Sequence, residues 1–291
     1  KVSLSQTLFA TVSTYPKDFL TDAGTPRLNP LQPGEMPEGY ELSRDMDTNG
    51  WPQTGRNKAL RALRKGFAFM IAGDQHLGSI VHHGVDTWND AGYSFCVPSI
   101  ANLWPRRWYP PEPGLDRLPE MPPYTGKFKD AFGNHITVWA VSNPVVSNQE
   151  PAELYDRAPG FGLVRLNKKQ QTITIECWPR WVDPSDDDAE QYEGWPLTIA
   201  VADNYDREAA AYLPEIEIRG IEFPILQVIK SRSGEIVYTR RLKESRFRPH
   251  VFEKGVYDIR VGEPGTRRMK TIEKLRAEPE SKRSILIVSF D

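Results

Sequence analysis

FMIAGDQHLGS, residues 69–79, decides how the chain is read. Phe69-Met70-Ile71-Ala72 is a short apolar run, of the length of a strand covered on both faces rather than of a buried helix. Gly73 ends it, and Asp74 and His76 follow one residue apart. Upstream, Ala59, Leu60, Leu63 and Phe67 recur at three- and four-residue steps, with Arg56, Lys58, Arg61, Arg64 and Lys65 around the other face. That spacing predicts a helix over Gln53–Lys65, stopped by Gly66. Helix, turn and strand thus lead into Gly73-Asp74, and strand ends are where α/β folds carry their chemistry. The Asp-x-His pair has two readings. Either Asp74 caps the turn and His76 bonds a nearby carbonyl, or both serve one hard or borderline metal ion, for which carboxylate oxygen and neutral imidazole are suitable ligands.

Composition narrows the function classes. Charged residues make up 26% and the hydrophobic set 39% of 291 residues, a globular balance with length for one large or two modest domains. The formal net charge of -2, with positive charges scattered, gives no electrostatic footprint for nucleic acid. No apolar run approaches the length of a membrane span. The opening KVSLSQTLFATVS lacks the features of a signal peptide and reads as a strand, as though entered in the middle of a fold. Cys96 and Cys177 both lie in strand-like apolar segments. Buried free thiols are the expected state; a disulfide, implying an oxidising compartment, is the alternative.

Turn formers crowd residues 22–57 and 104–126, long loops of the kind that serve as functional segments or lids. Strands are expected at ITVWAVSNPVV (136–146), GFGLVRL (160–166) and TITIECW (172–178). The acidic VDPSDDDAEQYEGWP opens a linker, taken as 182–212. Beyond it, PEIEIRGI, FPILQVIK, GEIVYTRRL, GVYDIRVG, TRRMKTIEKL and SILIVSF come at regular spacing with turn signals between them. They read as a small all-β, immunoglobulin-like sandwich over 213–291.

The arrangement DMDTNGWPQTGRNKALRALRKGFAFMIAGDQHLGS (45–79), followed by FCVPSIANLWPRRW (95–108), resembles metallophosphoesterases of the alkaline phosphatase D-like family, within the calcineurin-like superfamily. Order, spacing and element type agree over roughly residues 1–180. The resemblance implies an α/β (α+β) fold: the C-terminal part of a metallophosphoesterase β-sandwich flanked by helices (1–181), followed by the all-β domain. It implies hydrolysis of a phosphate mono- or diester at a two-metal centre of divalent or trivalent ions, with Fe, Ca, Mn and Zn not distinguished. His76 is then a metal ligand, and Asp74 a ligand or its neighbour. Asp47, Asn49 and Arg56 fall on the phosphate side, an Arg at a helix start being suited to phosphate oxygens. Members of this family are commonly exported, which suggests a periplasmic or external location.

The departures matter. The family's earlier motifs, which supply most ligands of the two-metal centre, have no counterpart before residue 47. The chain is therefore expected to lack the N-terminal metal-binding motifs, to need a further segment or chain, and to be no competent phosphatase alone. The rival reading is a non-catalytic binding or structural protein with a degenerate metallophosphoesterase fold. Trp104 and Arg106, in WPRRWYPPEPG (104–114), either wall a phosphoester substrate or belong to a loop pinned by its aromatics to the domain surface. His82 and His83 read as ordinary polar residues of a loop or strand edge, and His135, at a hairpin-like turn, and His250, in the small β-domain, as structural or solvent-facing. No Gly-x-Ser-x-Gly elbow, phosphate-binding loop, dinucleotide fingerprint or zinc-type cysteine spacing occurs.

Overall fold

A computed structural model describes residues 1–17, 28, 30–32, 34–44, 52–101 and 104–290. Residues 1–141 supply β1 (Val2–Leu4), the short pair β2 (Thr14–Pro16) and β3 (Tyr40–Leu42), and helix α1 (Gln53–Arg64). They continue with β4 (Phe69–Ala72), β5 (Ser79–His83), β6 (Tyr93–Cys96), β7 (Gly126–Lys129) and β8 (His135–Val141). Six of these strands form one sheet in the order β1-β4-β6-β5-β8-β7, with β1, β4 and β6 parallel and the rest antiparallel. A short helix α2 (Ala152–Tyr155) precedes β9 (Gly160–Asn167), β10 (Thr172–Pro179) and β11 (Leu197–Ala200), an antiparallel sheet in the order β11-β10-β9.

These two sheets stack into a sandwich. Phe69, Ile80, Phe95 and Ala140 of the first pack on Ile173, Ile175, Cys177 and Ile199 of the second, with Trp195 closing the end. The opposite face of the large sheet, through Ala72, Val81, Cys96 and Val138, is covered by Leu8, Ala10, Val12, Trp108 and Tyr124. Burial on both faces is why β4 and β6 read as unbroken apolar runs rather than alternating ones.

Two stretches differ from expectation. Of KVSLSQTLFATVS, only Val2–Leu4 pairs as a strand. The chain leaves the ladder at Gln6, whose carbonyl accepts from Gly73 N at 2.9 Å, and then crosses the sheet face burying Leu8, Ala10 and Val12. Within 182–212, taken as linker, Leu197–Ala200 pairs with β10 as a third strand. The following turn of 3-10 helix, Val201–Tyr205, is fixed by Asn204, whose Oδ1 accepts from Tyr93 N at 2.9 Å.

The C-terminal part is a second β-sandwich with its own core. It contains β12 (Ala211–Tyr212), β13 (Glu215–Arg219), β14 (Ile225–Lys230), β15 (Ile236–Arg241), β16 (Arg246–Phe247), β17 (His250–Val251), β18 (Val256–Gly262), β19 (Met269–Arg276) and β20 (Ile285–Ser289). Alternate residues such as Ile216 and Ile218, Leu226 and Val228, and Ile259 and Val261 face one core, the pattern expected of strands with one wet side. The molecule is thus mostly β. Among the described residues no helix is long and apolar enough to cross a membrane.

Candidate functional site

At the C-terminal end of β4 the backbone closes twice in succession. Gln75 N donates to Gly73 O at 2.7 Å, and Leu77 N donates to Gln75 O at 2.7 Å. Each bond closes a three-residue turn, and the central residues, Asp74 and His76, have φ of +63° and +62°. Three-residue turns with positive φ at the centre are the rare, strained kind, and strained backbone of this sort collects at functional sites. The alternation sends Gln75 inward, where Nε2 donates to Ala10 O at 3.3 Å. Asp74 is left exposed and His76 half-buried at the surface of the strand end.

His76 is held from the ring. Its Nδ1 lies 3.0 Å from Trp104 O, a carbonyl that can only accept, so Nδ1 carries the proton. The lone pair then sits on Nε2. Asp74 Oδ2 accepts from Gln6 Nε2 at 3.2 Å. The rest of the strand-end surface is knitted behind this turn. Ser99 N donates to His76 O at 3.4 Å, and Ser142 N donates to Gly78 O at 2.8 Å. Gly78 is required there: a Cβ would lie 2.5 Å from Ser142 Oγ and 3.2 Å from Cys177 Sγ. β4, β5, β6 and β8 therefore all meet the Asp74–His76 turn at one end of the sheet.

The cysteines beneath this turn are free and buried, the expected state. Burial pushes the Cys96 thiol up to about 12, with the Asp74 carboxylate adding to the rise. Cys177 is pushed up as well, by burial and by Cys96. Neither offers a thiolate at neutral pH.

Of the residues expected around the phosphate, Arg56 is not at this turn. Asp47 and Asn49 lie outside the described residues. Arg56 sits at the opposite end of the sheet, where Nη1 donates to Gly84 O at 2.7 Å, beyond the far end of β5. A strand of that length separates the two ends by about 13 Å at ~3.3 Å per residue. Its other donors go to Phe9 O at 2.9 Å, Asn57 Oδ1 at 2.8 Å and His135 O at 3.4 Å. Burial lowers the guanidinium pKa to about 10, so it remains cationic at neutral pH while clasping backbone carbonyls. Trp104 does come to the site, through its carbonyl on His76, with its ring largely exposed. Arg106, two residues on, is half-buried, and burial lowers its pKa. The rest of that loop is pinned: Trp108 is fully buried, its Nε1 donating to Tyr124 O at 3.0 Å and its backbone bracketed by Asn143.

His82 and His83, expected on a loop or strand edge, lie instead in the fully buried strand β5. Among the described residues, no group of three or more His, Cys, Asp or Glu side chains converges in a way that could hold a metal ion. No protein-family model, curated protein or solved structure matches the chain.

Proposed function

We propose that this chain carries part of the site of a metal-dependent phosphoester hydrolase of the alkaline phosphatase D-like kind, with His76 as a metal ligand and Asp74 beside it. The observation that carries the reading is the lock on His76. A neutral ring whose Nδ1–H is fixed to a backbone carbonyl keeps its lone pair on Nε2, the arrangement in which metal-binding histidines are oriented and their basicity raised. Backbone strain at both chemically capable residues of the turn supports it, since glycine would fit either position without cost. Two stacked sheets with this turn at a strand end are compatible with a metallophosphoesterase half-domain.

Asp74 and His76 are too few for a two-ion centre, and among the described residues no group of three or more ligating side chains converges. No hydrolytic step is therefore assigned to the described residues. Completion of the shell falls to other groups, from the Asp47 loop or from a further segment or chain. The same shortage favours a second reading, a non-catalytic protein that keeps the architecture without the chemistry.

Metal content and intact mass of the purified native material separate the two. Near-stoichiometric metal is expected, with zinc or manganese affinity, read by competition with a chromophoric chelator, at least about tenfold weaker in His76→Ala. Trp104 contributes only its carbonyl to the lock, so Trp104→Ala should leave affinity nearly unchanged. A chain without metal, whose weak binding is indifferent to His76→Ala, would hand the field to the non-catalytic reading.

A further inference from the structure

The strand end that carries Asp74 and His76 continues, on the β8 side, into a cavity of about 630 Å³. Its volume falls within the range of small-molecule sites, roughly 300–1,000 Å³. Five aromatic side chains line it: Tyr109, Tyr124, Tyr155, Trp181 and Tyr192. Trp181 forms a corner with two of them. Its ring meets Tyr155 at 5.3 Å and 80°, and Tyr192 at 6.5 Å and 87°. Three of the four phenols are tied back into the protein. Tyr109 Oη donates to Pro144 O at 3.0 Å, Tyr192 Oη to Pro159 O at 2.8 Å and Tyr124 Oη to Glu193 Oε2 at 2.9 Å. Those three rings are thereby fixed in place, with their hydroxyl protons already committed.

The lining also has one sign of charge. Glu35, Asp183, Asp186, Asp188, Glu190 and Glu193 border the cavity, and no lysine, arginine or histidine is among its described lining residues. Arg180, beside Trp181 in sequence, turns its guanidinium to Ile100 O at 3.2 Å. Several of the neutral polar side chains already have partners. Asn143 brackets the Trp108 backbone, Ser147 Oγ donates to Asp156, and Gln191 Oε1 accepts from Cys177 N at 2.9 Å. An anion would meet a field of carboxylates. A cation would meet ring faces, whose quadrupole attracts positive charge, inside a field of carboxylates.

We infer that this cavity binds a small organic cation, an alkyl- or quaternary ammonium group, with Trp181, Tyr155 and Tyr192 as its walls. A bare metal ion would need converging oxygens and would have no use for the rings. An alkylated ammonium group uses both, because its charge is spread over an apolar shell that packs against aromatic faces. The site lies beside the candidate metal turn, joined to it by Ser142, which lines the cavity and whose N–H binds Gly78 O. It stands independently of whether His76 holds a metal.

The test titrates the full chain with choline, followed by calorimetry and by Trp fluorescence. The control is choline's neutral isostere, in which a quaternary carbon replaces the nitrogen. Saturable choline binding is expected, with the isostere at least tenfold weaker and the choline affinity falling as salt rises. Trp181→Ala should weaken choline at least tenfold, while Trp181→Phe, which keeps an aromatic face, should recover most of the loss. Trp181 is partly exposed, so both variants should fold, and circular dichroism checks that they do. Equal binding of choline and its isostere would overturn the inference. So would calcium binding untouched by Trp181→Ala in a chain that gives no choline signal.

Discussion

His82 and His83 are adjacent in a buried strand, so they point to opposite faces of the sheet, and both are sealed from water. His82 Nε2 donates to Ala91 O at 2.9 Å, and its ring stacks on Tyr93 with centroids 3.8 Å apart. His83 Nε2 lies 2.9 Å from Ser94 Oγ. Burial lowers the His82 pKa from 6.5 to about 3, and burial, with Arg56 and His82 nearby, holds His83 well below its ordinary value. The sign follows. Above pH 6.5 both residues are neutral whether folded or unfolded, and they impose no penalty. Below it, the unfolded chain takes up protons that the folded one refuses, so stability drains away as pH falls towards the folded pKa. For His82 the loss at pH 5 is about 2 kcal/mol, from ~1.36 kcal/mol per unit, and His83 adds in the same direction. Urea denaturation at pH 7 and pH 5 reads this directly. His82→Gln keeps a donor for Ala91 O without titrating, and its loss between the two pH values should be smaller by about 2 kcal/mol. Equal losses in the two proteins would remove His82 as the cause.

Helix α1 buries Arg56, Leu60 and Arg64, four residues apart along one stripe, while Ala59 and Leu63 are only half-covered. A basic residue in this register looks like a solvent-facing one until its partners are known. Arg64 Nη1 donates to Asp90 Oδ2 at 2.7 Å, and the Arg64 and Asp90 side chains are 6% and 0% exposed. Asp90 also accepts from Val85 N at 2.6 Å and Asp86 N at 3.1 Å, so it fixes the turn between β5 and β6 as well as the helix. Asp90→Ala leaves the buried guanidinium with Asp86, at 2.9 Å, as its remaining carboxylate, and a loss of about 1–3 kcal/mol is expected. Arg64→Met combined with Asp90→Ala should cost clearly less than the two single losses added together, a comparison made by denaturation of all four proteins. Additive losses would mean that Asp90 acts through the turn alone. The extent of α1 could be read from Ala59, Leu60, Leu63 and Gly66, as could most of the longer strands, because local periodicity records them. The duties of Arg56 and Arg64 could not, since they depend on Phe9, Gly84 and Asp90, brought in by the fold. The same holds at the candidate site. Asp74 and His76 stood out by residue type, but the paired three-residue turns and the Trp104 carbonyl arise from contacts that no local pattern encodes. Leu197–Ala200 was hidden for another reason: an acidic, turn-rich stretch precedes it, and four residues are too few to show a period.

At the scale of the whole molecule, the question is what makes two β-sandwiches behave as one body. Phe67 comes directly after α1, in the first half of the chain, yet its ring lies in the core of the second sandwich. It stands edge-on to Tyr238, with centroids 5.8 Å apart at 82°, lies 5.8 Å from Tyr205, and carries Arg240 5.7 Å above it. The backbone turns with φ +51° at Phe67 to send it there. Around this pin, Thr239 N donates to Lys65 O at 2.8 Å, Lys65 Nζ meets Glu235 at 2.7 Å, and Gln171 Nε2 reaches Arg241 O at 3.1 Å. The salt bridge is exposed and contributes little, so the coupling rests mainly on the buried ring. Phe67→Ala removes that ring from a closed core at a cost of about 3–5 kcal/mol, and because the ring belongs to both halves the cost falls on their association. Calorimetry should therefore show a single unfolding transition in the parent chain split in two in Phe67→Ala, the second sandwich melting first. Phe67→Leu, which refills most of the volume, should restore the single transition at a modestly lower temperature. If Phe67→Ala only lowers the melting temperature of one undivided transition, the halves are held by the rest of their contact and Phe67 is an ordinary core residue.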